Sequence, residues 1–550
     1  MRSNVLLRTA QCGLRYLSRR PLSHNPRVAY QSYRCFTATP TSREKRKWST
    51  PLAEQLASAI NITGPIPLAS YMRMCLTSDV GGYYTGAIEA DRDQFGRKGD
   101  FITSPEISQI FGELVGIWFV AEWMSQGRPK GVQFIEVGPG RGTLMDDMLR
   151  TIRNFKDMAA SIETIYMVEA SKELRTAQKN LLCGEDAVMT PSEIGWHSTS
   201  KYNGLPIVWT DSIKAIPQDP SKTPFIVAHE FFDALPIHAF QLVDLPPTEQ
   251  STTTTTRNNI NSDVKNSTTA NPTTTTTTTS PNRQWREMVV SPTPKGTTHD
   301  DLKTPQAERH DPVPEFQLTL SPSVTRHAQY LPESSPRYKA LKSVPGALIE
   351  VCPDSSMYAA DFATRIGGSP ISPFPSSSSS PSATPTPTPA TSPPSHKPHP
   401  SGAALIIDYG PASTIPANSL RGIRRHRRVS PFSAPGLVDL SADVDFGALV
   451  DAATRASPAV ECHGPVNQAY FLEAMGVRQR AQMLAKKLLA TAGTGHDAEA
   501  EAKAMEIERS WKRLVDRGPN GMGKIYKVLA ILPENDGRRR PVGFGGDVSF

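Results

Sequence analysis

The residues with the most chemical content are Glu136-Val137-Gly138-Pro139-Gly140-Arg141-Gly142-Thr143. They follow a mostly apolar run, Val132 to Ile135, and precede apolar positions at helical spacing: Leu144, Met148, Leu149, Ile152 and Phe155. A carboxylate at a strand end, glycines at 138, 140 and 142 and then a helix start let bare backbone approach a nucleotide-bearing ligand, because glycine lacks Cβ and turns tightly. A phosphate cradle would need Gly-Lys-Ser/Thr, and a dinucleotide fingerprint reads G-x-G-x-x-G; the loop has neither, its spacing being G-x-G-x-G. Glu136 would repel a pyrophosphate and favour the cationic amino and sulfonium groups of S-adenosylmethionine. A glycine-rich βα turn with no ligand is the plain alternative.

The residues downstream favour the ligand. Ile162 to Val168 reads as a second strand ending in Glu169, where a carboxylate can accept hydrogen bonds from both hydroxyls of a ribose. Pro206 to Thr210 is a third strand, with Asp211 at its end. Pro224 to Ala228 is a fourth, leading into His229-Glu230-Phe231-Phe232-Asp233-Ala234-Leu235-Pro236. Polar groups at the ends of parallel strands mark the ligand edge of an open α/β sheet. The cofactor-side candidates are therefore Glu136, Gly138, Pro139, Gly140, Gly142, Thr143, Glu169 and Asp211.

These strands need helices and connections to hold them. Residues 51–125 read as largely helical and are expected to cap the cofactor cleft. In them, Ser104 is expected to cap a helix running from Pro105 to Met124, with Pro105 at its first position and Glu106 complementing its dipole. The sheet domain is expected over 126–531. It is interrupted by Thr/Asn-rich residues 245–284, polar residues 291–314 and Ser/Pro/Thr-rich residues 368–402. These stretches are too poor in apolar side chains to offset chain entropy, so they are expected to be disordered surface insertions. Between them lie strand-like pieces at Trp285–Val290, Phe316–Leu320 and Ala347–Val351. A strong strand, Ala403–Ile407, ends in Asp408-Tyr409, and the last strand is expected within Gly523–Ile531, leaving 532–550 as a tail. Strands alternating with helices indicate an α/β fold.

Charge separates the ends of the chain. The formal net charge is +7, but residues 1–43 hold eight Arg and no Lys, Asp or Glu, so the remainder carries −1 by difference. That leader has the composition of a mitochondrial presequence, expected to span 1–36 with a mature start near Thr37. The near-neutral remainder gives no argument for nucleic acid binding. The run Arg421 to Arg428 is a solvated loop or a contact for an acidic partner. The six cysteines form no C-x-x-C, so neither a zinc site nor a disulfide framework is suggested and no metal is expected. No apolar run reaches the length of a membrane span.

Several separated segments together resemble the MidA family: Asp91–Gly96, Gly99–Ser108, the Glu136–Thr143 loop, His229–Pro236 and Asp439–Phe446. Gly464-Pro465, Asn467-Gln468, Phe471-Leu472, Met475-Gly476 and Met522-Gly523 with Tyr526-Lys527-Val528 extend the likeness from about Ala53 to Ile531, insertions apart. The resemblance implies a class I, Rossmann-like, S-adenosylmethionine-dependent methyltransferase with a helical N-terminal cap. The family's mitochondrial members are protein arginine methyltransferases that assist assembly of respiratory complex I. It therefore implies symmetric dimethylation of an arginine in a matrix-side complex I subunit, and it places Ser104 near the cofactor. A guanidinium has a pKa above about 12, so it needs carboxylates to orient it and take its proton. Glu230 is the expected principal clamp, with Asp233 or His229 assisting. Asp408 and Tyr409 are expected near the substrate cleft, and Asp443 and Asp445 beside a basic peptide. Two other readings stay open: a methyltransferase-fold assembly chaperone whose catalysis is dispensable, and methylation of RNA or a small molecule.

Overall fold

Phe134 and Ile135 are neighbours in sequence and belong to opposite cores, because successive side chains on a strand point to opposite faces. The same alternation recurs at Phe225/Ile226 and Leu405/Ile406. Phe134, Phe225 and Leu405 join one buried cluster, and Ile135, Ile226 and Ile406 join the other. Strands buried on both faces read as continuous apolar runs, as parallel sheets between helices require.

The computed structural model describes residues 46–86, 99–245, 282–370, 397–491 and 498–545. The presequence, the Asp91–Gly96 segment, residues 246–281 and 371–396 of the low-complexity stretches, and the last five residues lie outside them. The chain divides after Lys47, and the unit from Trp48 onward carries everything below.

The main strands are β1 (Val132–Val137), β2 (Ile162–Val168), β3 (Pro206–Thr210), β4 (Thr223–His229), β5 (Ala403–Tyr409), β6 (Val460–Asn467) and β7 (Tyr526–Pro533). They lie in the order β6-β7-β5-β4-β1-β2-β3 within a nine-stranded sheet that Gly195–Thr199 and Thr190–Ser192 complete at one edge. β5, β4, β1, β2 and β3 run parallel; β7 is antiparallel to β5 and β6. The chain goes from β1 to one side for β2 and β3, then returns to the other side for β4 and β5. That reversal opens a crevice at the strand C-termini between β1 and β4.

The helices that matter are α1 (Pro51–Thr63), α2 (Leu68–Thr77), α3 (Ser104–Ile107), α4 (Gln109–Ser125), α5 (Thr143–Ile152), α6 (Lys172–Cys183), α7 (Pro353–Gly367) and α8 (Phe446–Ala456). The expected 51–125 cap divides between two layers. α1 and α2 bury Leu56 and Tyr71 with Val290, Phe316 and Leu440 of accessory strands. α4 instead lies on the main sheet with Phe119 against Phe134 and Phe225. It is apolar nearly all round, so it needs partners on more than one side. The expected single helix from Pro105 is broken at Ser108, which is extended and turns its hydroxyl to the backbone N–H of Ile110. The cap of α3 is Thr103, not Ser104: Glu106 accepts from the Thr103 backbone N–H at 3.0 Å, and Ser104 is the first helical residue.

The strand-like pieces after β4 do not enter the main sheet. His238–Asp244, Arg283–Pro292, Phe316–Leu320, Leu348–Val351 and Ile66–Pro67 form a five-stranded sheet of their own. Residues 291–314, expected to be disordered, carry the end of one of these strands and a short 3₁₀ turn, Gln306–Glu308, with Glu308 buried. Arg428 pairs with Glu308 at 3.3 Å, a long-range contact invisible to local composition. The expected tail is docked rather than loose. Arg539 forks onto the buried Glu122 at 3.1 and 2.5 Å, and the Trp118 indole donates to the carbonyl of Val542 at 3.0 Å. Among the described residues no helix is long and apolar enough to cross a membrane.

Gly112 and Gly116, one helical turn apart, bring α4 against α5. A Cβ on Gly112 would lie 2.5 Å from Asp147 Cβ, and one on Gly116 3.1 Å from Met148 Cα. Gly112→Val should therefore lower unfolding free energy by about 1–3 kcal/mol through overpacking. Urea titration checks this; an unchanged midpoint would mean that α4 and α5 have room to spare.

Candidate active site

Five parallel strands end on one edge of the sheet, and each brings an acid there: Glu136 from β1, Glu169 after β2, Asp211 after β3, Glu230 after β4 and Asp408 within β5. Four of the five line one cavity of about 290 Å³; Asp408 does not. Gly138, Pro139, Gly140, Thr143 and His229 share the lining. Leu76, Tyr84, Phe101, Thr103 and Glu106, from the segment ahead of the sheet, close its other side.

The glycine loop takes its shape from positive φ at Gly138 (67°), Gly140 (52°) and Gly142 (83°). A Cβ on Gly138 would sit 2.6 Å from the Phe231 ring. Gly142 is outside the lining; it is the left-handed residue that starts α5. Gln178 of α6, fully buried, donates to the Gly140 carbonyl at 2.6 Å and to Glu169 at 3.3 Å, and accepts from the Trp209 indole at 2.9 Å. One side chain thus ties the loop, the second strand end and the third strand together. No local signal in the sequence marks it, because a glutamine on a helix reads as surface.

Glu136 is buried with its Oε2 lacking a partner, and burial, then the nearby Glu169 charge, pushes its carboxyl well above the ordinary range. Glu169 accepts from the Ser171 backbone N–H at 2.8 Å, and burial raises it to about 7. Asp211 is largely exposed and pairs with Arg175 at 2.9 Å. Glu136 thus keeps one unpartnered oxygen on the cavity, and the Glu169 carboxyl lies beside it, held by Ser171 and Gln178. That donor set suits a cationic, ribose-bearing ligand and opposes a phosphate.

The β4 end is stranger. Glu230 has φ of 51°, uncommon for a residue with a side chain. The turn is held by Asp408, whose Oδ2 accepts from the backbone N–H groups of Phe231, Phe232 and Asp233 at 3.1, 2.9 and 3.4 Å. Asp408 is thereby a scaffold for the site rather than a wall of the substrate cleft. Burial raises the Glu230 carboxyl to about 8, with the charge of Asp233 adding to it; the Ser104 backbone N–H and the Tyr526 hydroxyl work the other way. So Ser104 meets Glu230 through its backbone, and it does not line the cavity, while its own hydroxyl is buried without a partner. Asp233 also lies off the cavity and accepts from the Tyr409 hydroxyl. His229 is buried against Phe111, and desolvation pulls its pKa to about 3, so the ring is neutral. Its Nε2 is 3.2 Å from Glu230 Oε1 without hydrogen-bond geometry.

Beyond Tyr409 and Tyr526 lies a second, more open cavity of about 720 Å³, lined also by Arg421, Asp443 and Lys527. Arg421 stacks 4.4 Å from the Tyr409 ring centre and pairs with Asp443 at 2.7 Å. Asp443 is thus on this opening with its charge already paired. Asp445 is not free for a peptide: it caps α8 and binds Arg337 at 2.8 Å and the Tyr338 hydroxyl at 2.9 Å. The Arg421–Arg428 run is a hairpin whose turn is held by Asp100, which accepts from the Arg425 N–H at 2.7 Å.

The model of the family described as "Putative S-adenosyl-L-methionine-dependent methyltransferase" matches residues 114–466. The chain belongs to this family. Its cofactor is S-adenosylmethionine, in keeping with the donor set above. A relative from Xenopus laevis, named protein arginine methyltransferase NDUFAF7, mitochondrial, is 30% identical over 92% of this chain and 89% of its own. The Drosophila melanogaster homolog is 32% identical over 88% of this chain and 85% of its own. The Homo sapiens protein is 30% identical over 88% and 84%. A Burkholderia thailandensis structure bound to S-adenosyl-homocysteine shares the fold, with a TM-score of 0.54 and 19% identity over 90% of this chain and 92% of that one.

The buried Glu230 makes stability depend on pH in this methyltransferase. In the folded chain it keeps its proton up to about 8, whereas its ordinary value is 4.5. Between those values the folded state holds the extra proton, so its contribution to stability falls as pH rises. Glu230→Gln should remove that fall and raise Tm by about 2 °C or more at the alkaline end, with little change at the acid end. Thermal unfolding of both proteins across that window checks it; parallel curves would show that Glu230 is ionised throughout.

Proposed function

We propose that this methyltransferase acts on protein arginine, forming symmetric dimethylarginine in a subunit of respiratory complex I, in the mitochondrial matrix. The relatives' names support the arginine and the organelle. The observation that carries the reading is Glu230, a buried carboxyl aimed at the cofactor cavity and supported by Tyr526. A guanidinium is the cation such a group lacks.

Bound S-adenosylmethionine supplies an electrophilic sulfonium methyl. Glu136 is proposed to face the cofactor's cationic end, Glu169 its ribose hydroxyls, and Gly138, Pro139, Gly140 and Thr143 to leave room for its backbone-side contacts; Asp211 borders the same space. Gly142 sets the loop's turn, and Ser104 acts through its contact with Glu230. Glu230 would accept N–H bonds from the target guanidinium, line its nitrogen up with the methyl and take the proton released as the N–C bond forms and the sulfonium S–C bond breaks, the leaving group being neutral S-adenosyl-homocysteine. Arrival of the guanidinium lowers the Glu230 pKa, because opposite charge favours the ionised form. Asp233 acts through Tyr409, fixing the wall between the two cavities. His229, on the cavity wall and neutral with a pKa near 3, orients the guanidinium by accepting a hydrogen bond. The open cavity beside Tyr409 and Tyr526 is the proposed entry for the peptide.

Two substitutions separate binding from chemistry. Gly138→Val should weaken S-adenosylmethionine binding by about 100-fold, since it places a branched side chain against Phe231 at a positive φ. Glu230→Gln should leave that affinity within about 3-fold and lower turnover by about 100-fold or more, because the amide takes no proton. Calorimetry and label transfer from methyl-tritiated S-adenosylmethionine to a mitochondrial extract lacking the protein report the two quantities. Label in symmetric dimethylarginine of one subunit, absent with Glu230→Gln, supports the proposal. Full turnover by that variant removes Glu230 from the chemistry. A dead but folded variant that still restores complex I would instead make the protein an assembly scaffold.

A further inference from the structure

Away from the cavity, three side chains converge on the accessory sheet. His238 opens the strand His238–Asp244, Glu287 lies in Arg283–Pro292, and His327 is in the short helix Arg326–Tyr330. Phe240 pairs with Glu287 in the antiparallel register, so His238, two residues from Phe240, shares a face with Glu287 as its diagonal neighbour. His238 Nδ1 is 2.7 Å from Glu287 Oε1, and His327 Nδ1 is 3.4 Å from the same oxygen. One atom from each of the three side chains lies within 4.8 Å of the others.

We propose that His238, Glu287 and His327 form a binding site for a divalent transition metal of the zinc type. Two imidazole nitrogens and one carboxylate oxygen are a donor set that suits zinc; calcium and magnesium prefer oxygen throughout. Metal–ligand distances of about 2.0–2.2 Å in a tetrahedron put neighbouring ligand atoms about 3.3 Å apart. The His327 separation already has that span, and the His238 separation needs to open by about 0.6 Å, within reach of a small side-chain rotation.

Two further observations favour an ion over a purely hydrogen-bonded triad. Glu287 is fully buried, and its Oε2 has no partner with hydrogen-bond geometry, although the Thr325 hydroxyl is near enough to help lower its pKa. A buried carboxylate left half-satisfied is costly, and a divalent cation offsets that cost directly. The His327 side chain is 48% exposed, against 11% for His238. The site thus has an entry path and room for water as a fourth ligand, while its other two ligands are fixed by the sheet. The metal would staple the short helix to two strands, one of which leads directly out of the Glu230–Pro236 turn. It would act on stability, not as a reactant.

The test uses the full-length protein and His327→Ala, chosen because its exposed ring can be removed with little loss of core. After treatment with a chelator, each is titrated with zinc chloride, desalted and analysed for metal, with magnesium chloride as control. Thermal unfolding is followed with and without zinc, and S-adenosylmethionine binding reports that the fold is intact. The expected result is about one zinc retained per wild-type chain, a Tm increase with zinc but not magnesium, and loss of both in His327→Ala with unchanged cofactor affinity. Cobalt(II) titration of the wild type is expected to give the strong visible bands of a four- or five-coordinate site. No retained zinc, equal zinc on His327→Ala, or only the weak bands of octahedral cobalt would overturn the proposal and leave a hydrogen-bonded His–Glu–His triad.

Discussion

The carboxylate of Asp408 gathers three successive backbone N–H groups after β4, and much of the site depends on that grip. Chain reversal at the end of a buried strand leaves peptide donors without partners, and an unpaired buried donor costs about 1–3 kcal/mol. Asp408, fully buried at the end of β5, supplies one oxygen to Phe231, Phe232 and Asp233 and the other to the N–H of Tyr409. With the turn fixed, Glu230 can hold a left-handed backbone and aim inward. Phe231 can lie over Gly138, and Asp233 can meet Tyr409. The parallel pairing of β4 with β5 brings the two ends together, so the geometry of the site is a consequence of sheet order.

That arrangement concentrates acids where water is scarce. Glu136, Glu169, Glu230, Asp233, Asp408 and Asp439 are all held above their ordinary pKa, with burial the first cause in each case. A collection of this kind is unfavourable to the folded chain by itself and becomes favourable when cations arrive. A sulfonium-bearing cofactor and the proposed guanidinium substrate are both cations. The same electrostatic strain that would weaken an isolated fold therefore works toward binding, and tyrosine hydroxyls at 409 and 526 supply the fixed dipoles that make it tolerable.

The accessory sheet shows a different balance. Its strands come from residues 238 to 351 and from Ile66–Pro67 far upstream, and it forms a layer with α1 and α2. Residues ahead of the first main strand thereby reach the cavity at the strand ends: Leu76 and Tyr84 from the end of α2 and beyond, then Phe101, Thr103, Pro105 and Glu106. The layer makes a wall for a ligand that the sheet edge alone would leave open to solvent.

The amino-acid sequence by itself determined six of the nine strands of the main sheet, the glycine loop and the acids at the strand ends; Val460–Asn467 and the two edge strands came only with the structure. Each feature legible in the sequence is a local property: an apolar run, a residue without Cβ, a carboxylate next to a strand. Glu136, Glu169, Asp211 and Glu230 needed only their position after such runs to be found. Tertiary structure decided everything that joins distant residues. It split the N-terminal helices between two layers, because α4 is apolar on too many sides for a cap. It ordered residues 291–314 through contacts with residues more than a hundred positions away, and docked the C-terminal segment on α4. It turned Asp408 from a candidate for the substrate cleft into a buried acceptor and Asp445 from a candidate peptide contact into a half-buried helix cap, and assigned Gln178 a central tie that nothing around it in sequence announces. A side chain's role follows from what burial brings against it, and those neighbours are set by the order of strands across the sheet rather than their order along the chain.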